Sequence, residues 1–157
     1  MSTTDSPKTD TQFSVFLANK PGVLCQVVRE LARNKINILA MSMMDATEHG
    51  VLRLVAENGD NARQALGRLD LPMTETTVVT ATLPNRPGAL ADVVERLDAA
   101  HIKVHYAYCT IGARHGKALG IFKVSNVAKA VRVLSERKPR RVWEGGNIRA
   151  SDRLRRR

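Results

Sequence analysis

Two short segments carry residue types that could do binding chemistry. Asn19-Lys20-Pro21-Gly22-Val23-Leu24 recurs as Asn85-Arg86-Pro87-Gly88-Ala89-Leu90, displaced by 66 residues. A glycine at a helix entrance lets a small molecule approach the backbone, and the first-turn N–H groups, which have no partner inside the helix, attract a carboxylate. Asparagine offers both a donor and an acceptor, which suits the ammonium and carboxylate of a zwitterion. Asn-x-Pro-Gly is also ordinary turn chemistry, so a purely structural reading stands beside the binding one. Met41, Met43 and Met44 could line a pocket for an apolar side chain, although methionines on a strand more often fill a core.

The other reactive residue types point to little chemistry. His101 and His105 have the i, i+4 spacing of a helical metal pair, but the stretch straddles a helix end and a strand, so the ligand geometry fails. His49 and His115 fall in equivalent hairpin turns, where simple exposure is expected. Cys25 and Cys109 sit among apolar neighbours and read as buried, reduced thiols; two cysteines make neither a disulfide framework nor a four-ligand metal site. There is no Walker-type loop, nucleophile elbow or paired acidic constellation. Neither a metal, a cofactor nor catalysis is expected.

The elements that must hold the two turns follow from the repeat. Between 19 and 36, eight of eighteen positions are identical to their counterparts 66 residues on, where unrelated segments would share roughly one. His49-Gly50 returns as His115-Gly116 at the same offset, so the register is expected to hold well beyond the first motif. Residues 13–17 alternate and end at the Pro-Gly turn, a strand signature. Pro21 or Gly22 then opens a helix, with Leu24, Val27, Val28 and Leu31 on one face and Asn34 as a stop. Residues 36–44 and 51–57 read as a strand hairpin, and 61–69 as a second helix. The second copy repeats the series: strand 77–83, helix 88–100, strands 102–111 and 117–124, helix 126–137. Each half lacks one strand of a βαββαβ, ferredoxin-like unit. Because only 70–75 separates the halves, strand 74–83 must serve both or pair across to the other half.

Composition sets the outer limits. The chain has 157 residues, 43% hydrophobic and 25% charged, enough for one ordinary domain or two small ones with a real core. No apolar run approaches the roughly 18 residues of a membrane span, and residues 1–12 lack the pattern of a secretory signal, so a cytoplasmic protein is expected. The formal net charge is +10, of which +6 falls in 136–157. That tail, ending in Arg153-Leu154-Arg155-Arg156-Arg157, is read as solvated. Trp143 and Gly145-Gly146 are read as a packing anchor and a turn, with room for a final strand at 147–151.

The strand, the Asn-x-Pro-Gly-x-Leu turn, the helix and the following Ile-Asn-Ile segment resemble an ACT domain, the small regulatory module of amino-acid biosynthetic enzymes. The resemblance covers about 12–138 and implies an α+β fold of two tandem ferredoxin-like βαββαβ units, with antiparallel sheets and helices on one face. The implied organisation is a flexible leader at 1–11, units at 12–72 and 73–138, and a closing segment with basic tail at 139–157. It also implies a non-catalytic sensor that holds a free amino acid where two units meet. The implied ligand-binding residues are Asn19, Pro21, Gly22, Val23, Leu24, Asn37 and Ile38 in the first unit, with Asn85, Pro87, Gly88, Ala89 and Leu90 in the second. Lys103 stands where the second unit would carry its counterpart of Asn37. A homodimer and an amino-acid biosynthetic enzyme are the candidate partners. Two rival functions remain: a nucleic-acid-binding ferredoxin-like protein using the basic tail, and a regulatory subunit without a small ligand. The first needs exposed aromatics on the strands for base stacking, and the segment 51–57 has none.

Overall fold

Alternating apolar side chains make the first strand. In β1 (Lys8–Ala18), Phe13, Val15 and Leu17 are buried on one face. Helix α1 (Val23–Arg33) lays Val23, Val27 and Leu31 against them. The hairpin β2 (Ile38–Met44) and β3 (His49–Ala56) follows, then α2 (Gly59–Gly67). The second series is β4 (Met73–Pro84), α3 (Ala89–Ala99), β5 (Val104–Cys109), β6 (Lys117–Val124) and α4 (Val127–Ser135). Asn58 and Asn126 are side-chain N-caps for α2 and α4, accepting from the N–H groups of Asn61 at 3.0 Å and Lys129 at 2.9 Å, each a cap of the kind that stabilises a helix by about 1 kcal/mol. This computed structural model describes residues 6–45, 49–110 and 117–136. The expected turns around His115, the Trp143 anchor, the strand at 147–151 and the arginine tail lie outside the described residues.

One six-stranded antiparallel sheet runs β2-β3-β1-β4-β6-β5. Strand β4 pairs with β1 on one side and β6 on the other. Each half therefore takes the other's first strand as its missing fourth, which settles the shortage of residues between the halves. Thr11 faces Thr77 in the β1–β4 ladder, and these two are themselves 66 residues apart, so a pseudo-twofold axis passes through that pair. Part of the expected leader at 1–11 is strand: Lys8, Thr9, Asp10 and Thr11 are paired with β4. Their ladder bonds to β4 are what order them.

The repeat does not keep one register. Strands β2 and β5 are 66 residues apart, but β3 and β6, and α2 and α4, are separated by 68, so the second hairpin is two residues longer. The His49-Gly50 and His115-Gly116 match at 66 is therefore not the structural correspondence; His49 opens β3, and its counterpart opening β6 is Lys117. Both hairpins carry a register shift at the same place, between Ile38 and Ala40 and between Val104 and Tyr106.

All four helices cover one face. Their apolar stripes form two clusters, one around Phe13, Leu31 and Leu54 and the other around Val79, Leu97 and Phe122. Full burial of each such side chain stabilises the fold by about 1.5–3 kcal/mol before entropy is counted. The opposite face is not left open. The sheet curls until Ala40, Val55, Val78 and Ile121 bury one another, and the Arg53 guanidinium of β3 lies 4.4 Å from the centroid of the Tyr106 ring of β5.

Inside that curl sits a polar knot. Gln12 is fully buried; its Nε2 donates to the Tyr106 hydroxyl at 2.7 Å and to Ser14 Oγ at 3.2 Å, while its Oε1 accepts from the Tyr108 hydroxyl at 3.0 Å. Burial, with a smaller contribution from Tyr106, holds the Tyr108 phenol well above its usual range, and the Arg53 charge opposes this. Thr80 donates to Asp10 Oδ2 at 2.7 Å. The knot breaks the pseudo-symmetry, because the counterpart of Gln12 is Val78.

Candidate functional site

The two Pro-Gly turns are built alike. Helix α1 begins at Val23 and α3 at Ala89, with Gly22 (φ 93°) and Gly88 (φ 83°) as N-caps in the left-handed region. The expectation that Pro21 or Gly22 opens the helix is thus corrected. The chain must pass through a positive φ to swing from strand into helix, so the glycine stands at the boundary and the proline before it. Neither turn has a side chain capping its helix, which at the first turn leaves helix-mouth amides for an outside acceptor. A Cβ on Gly22 would meet nothing within 4 Å, so substitution there acts through backbone strain alone. Gly22→Ala is expected to lower stability by about 1–2 kcal/mol, read by urea denaturation; an unchanged midpoint would show that the turn relaxes.

A cavity of about 60 Å³ adjoins the first turn. Asn19, Lys20 and Asp45 supply its polar lining, and Leu17, Val23, Leu24 and Met43 its apolar walls. Gly22 instead borders a more open groove of about 340 Å³ beside Cys25, Gln26, Arg29, Arg33 and Leu69. Of the expected set, Asn19, Val23 and Leu24 share one cavity, with Gly22 next to it. Asp45 was missed, because an acid at the end of a strand carries no motif. Met43 lines the cavity, and all three methionines are exposed side chains on the edge strand β2 rather than core filler.

Asn37 and Ile38 lie elsewhere. Strand β2 runs in the same direction as β1, and Ile38 pairs with Ala56 beside the early part of β1. Asn37 is therefore roughly 25 Å of strand away from Asn19. Its carbonyl accepts from the Glu57 N–H at 2.9 Å, and Ile38 packs on the first core. The two asparagines do not converge within one chain. Nor do the two turns, since antiparallel β1 and β4 carry them to opposite ends of the sheet, on the order of 40 Å apart. Within one chain, this register keeps a single small ligand from touching both mouths.

The second turn differs from the first. Arg86 folds across its mouth, donating to Asp92 Oδ2 at 2.7 Å and to the Pro87 carbonyl at 3.1 Å. The Ala89 N–H turns back to the Arg86 carbonyl at 3.3 Å. Ala89 is buried in the second core, and Leu90 is exposed. At the head of β5, the backbone N–H of Lys103 donates to Ser125 Oγ at 3.1 Å, and its carbonyl accepts from the Ser125 N–H at 2.9 Å.

Two further expectations are changed by the structure. Both cysteines are exposed rather than buried, because Cys25 faces away from the stripe of α1 and Cys109 lies on the edge strand β5; partial burial still pushes the Cys109 thiol up. Tyr106 and Tyr108 turn inward to Gln12 and Phe122 is fully buried, so these aromatics offer no platform for bases. Among the described residues, no group of three or more His, Cys, Asp or Glu side chains could hold a metal ion, and no helix is long and apolar enough to cross a membrane.

Comparison with known proteins fits this architecture. The model of the ACT domain pair matches residues 8–147. The chain belongs to the ACT domain pair family. Among solved structures, a Bacteroides thetaiotaomicron protein shares 34% identity at a TM-score of 0.74, over 82% of this chain and 88% of that one. The ligand-free regulatory subunit of aspartate kinase from Thermus thermophilus has 12% identity and a TM-score of 0.59, over 82% and 93%. The structure of aspartokinase alpha and beta subunits has 17% identity and a TM-score of 0.56, over 82% and 94%. The last two share the fold of this ACT domain pair. No curated protein matched the chain.

Proposed function

We propose that this ACT domain pair is a non-catalytic, cytoplasmic regulatory protein that binds a free amino acid at its first turn and changes its packing with a partner when the ligand is bound. The observation that carries the reading is the cavity at the uncapped mouth of α1, where Asn19 lies beside apolar walls. A ligand of this kind shifts a packing equilibrium only through different affinities for the two states. An amino-acid biosynthetic enzyme is the partner class suggested by the aspartate kinase regulatory subunits that share this fold.

A second copy of the chain would complete the site. Strand β2 is an edge strand with Met41, Met43 and Met44 all exposed, an apolar edge of the kind that pairs with another chain. Antiparallel pairing of β2 with its copy about a twofold axis carries the second copy's Asn37 to the Met44 end, beside Asn19 and Asp45. Such pairing would bring to the first turn an asparagine that this chain by itself keeps at a distance.

Two measurements test this. Thermal-shift screening of the twenty amino acids should find at least one that raises Tm, as ligand linkage requires; a flat response at millimolar concentration would sink the sensor reading. Met41→Lys with Met44→Lys should convert a dimer to a monomer in sedimentation, and an unchanged sedimentation coefficient would move the interface off β2.

A further inference from the structure

Resting on the reading above, we infer that of the two turns the first is the working one, that Asp45 holds the ammonium group of its ligand, and that the ligand is an α-amino acid with a small aliphatic side chain.

The cavity at the first turn sorts its lining by chemistry. Amides at the mouth of α1 and the Asn19 side chain suit a carboxylate. Asp45 is the carboxylate on the same wall, and Lys20 the cation. A zwitterion laid between the helix mouth and Asp45 meets opposite charge at both ends. What is left for its side chain is apolar: Leu17, Val23, Leu24 and Met43. A volume of about 60 Å³ is well under the roughly 300 Å³ of ordinary ligand pockets, so this chain encloses only the ligand's side chain, which must be small, and the second copy supplies the rest of the enclosure. A polar side chain would leave its groups without partners against these walls.

Three differences disable the second turn for the same ligand. At the 66-residue spacing that relates β2 to β5, the counterpart of Asp45 is Ile111, so the ammonium partner is missing from the sequence. The counterpart of Gln26 is Asp92, and Arg86 is bonded to it across the mouth. Asp92 also places a negative charge in the first turn of α3, where a ligand carboxylate would have to sit. A helix mouth already facing its own carboxylate has little attraction left for another.

Isothermal titration of the full chain tests all three parts, with L-valine, 3-methylbutanoate (the same skeleton without the ammonium) and L-aspartate as probes. L-valine should bind near one molecule per chain, and 3-methylbutanoate at least about tenfold more weakly, the scale of one charge-assisted hydrogen bond. Asp45→Asn should weaken L-valine about tenfold while leaving 3-methylbutanoate unchanged. Equal binding of the two probes by the wild type, or Asp45→Asn with full L-valine affinity, overturns the role of Asp45. A stoichiometry near two overturns the single working turn. Preference for L-aspartate overturns the aliphatic class and leaves the sensor reading intact. Only silence to all twenty amino acids removes that reading along with this one.

Discussion

Gln12→Val is expected to destabilise the protein by about 2–3 kcal/mol, although valine is what the second half carries at the matching position, Val78. The Gln12 side chain is fully buried and joins β1 to β5 through Tyr106 and Tyr108. Removing it strands the Tyr106 and Tyr108 hydroxyls inside the curl, and a buried polar group without a partner costs about 1–3 kcal/mol. Replacing all members of a buried network together is far milder than removing one. Adding Tyr106→Phe and Tyr108→Phe to Gln12→Val should therefore recover at least half of the loss, measured by urea denaturation. If the single valine variant is as stable as the wild type, the knot has no part in holding the curl.

Phe122→Ala should be worse, at about 3–5 kcal/mol, a large share of the roughly 5–15 kcal/mol of a typical domain. The ring of Phe122 is fully buried in the second core, and it lies over Gly120, where a Cβ would come within 2.7 Å of it. With no side chain at 120, only neighbours such as Leu83, whose Cδ1 would lie 3.2 Å from a Cβ there, can lean toward the space the ring leaves. The first half solves the same packing problem with Leu52 and Leu54 at the corresponding positions, two medium side chains in place of one large and none. Gly120→Leu combined with Phe122→Leu should accordingly cost less than Phe122→Ala, because it restores the pair of side chains that fills this space in the first half, although two leucines are bulkier than one phenylalanine and some overpacking remains. Gly120→Leu alone should be severe, because the ring has not made room. A double-mutant cycle measures this coupling, and additive single effects would show that the two positions do not share one space.

Much of this architecture was legible in the residues. Alternation in β1, the Val27–Leu31 stripe of α1 and the recurrence of Asn-x-Pro-Gly-x-Leu identify the strand, helix and turn twice over, because each pattern is local and follows from the geometry of a single element. The shortage of residues between the halves even required strand 74–83 either to serve both or to pair across. The shift from 66 to 68 was not legible: His49-Gly50 has its sequence match at His115-Gly116, but pairing registers, not dipeptides, decide which residues correspond.

The site divided along the same line. Sequence determined the two turns, the glycines they need and the asparagine at each, since a positive φ before a helix is a local demand. Only the tertiary structure decided which of these residues could act together. Strand direction put Asn37 far from Asn19 within one chain. Antiparallel pairing of β1 with β4 sent the two turns to opposite ends of the sheet, and the curl drew Tyr106 and Tyr108 inward to Gln12. Asp45 entered the cavity because β2 ends beside the first turn. Convergence of side chains depends on how strands are ordered and which way they run, and those are set by packing between distant segments that no local pattern records.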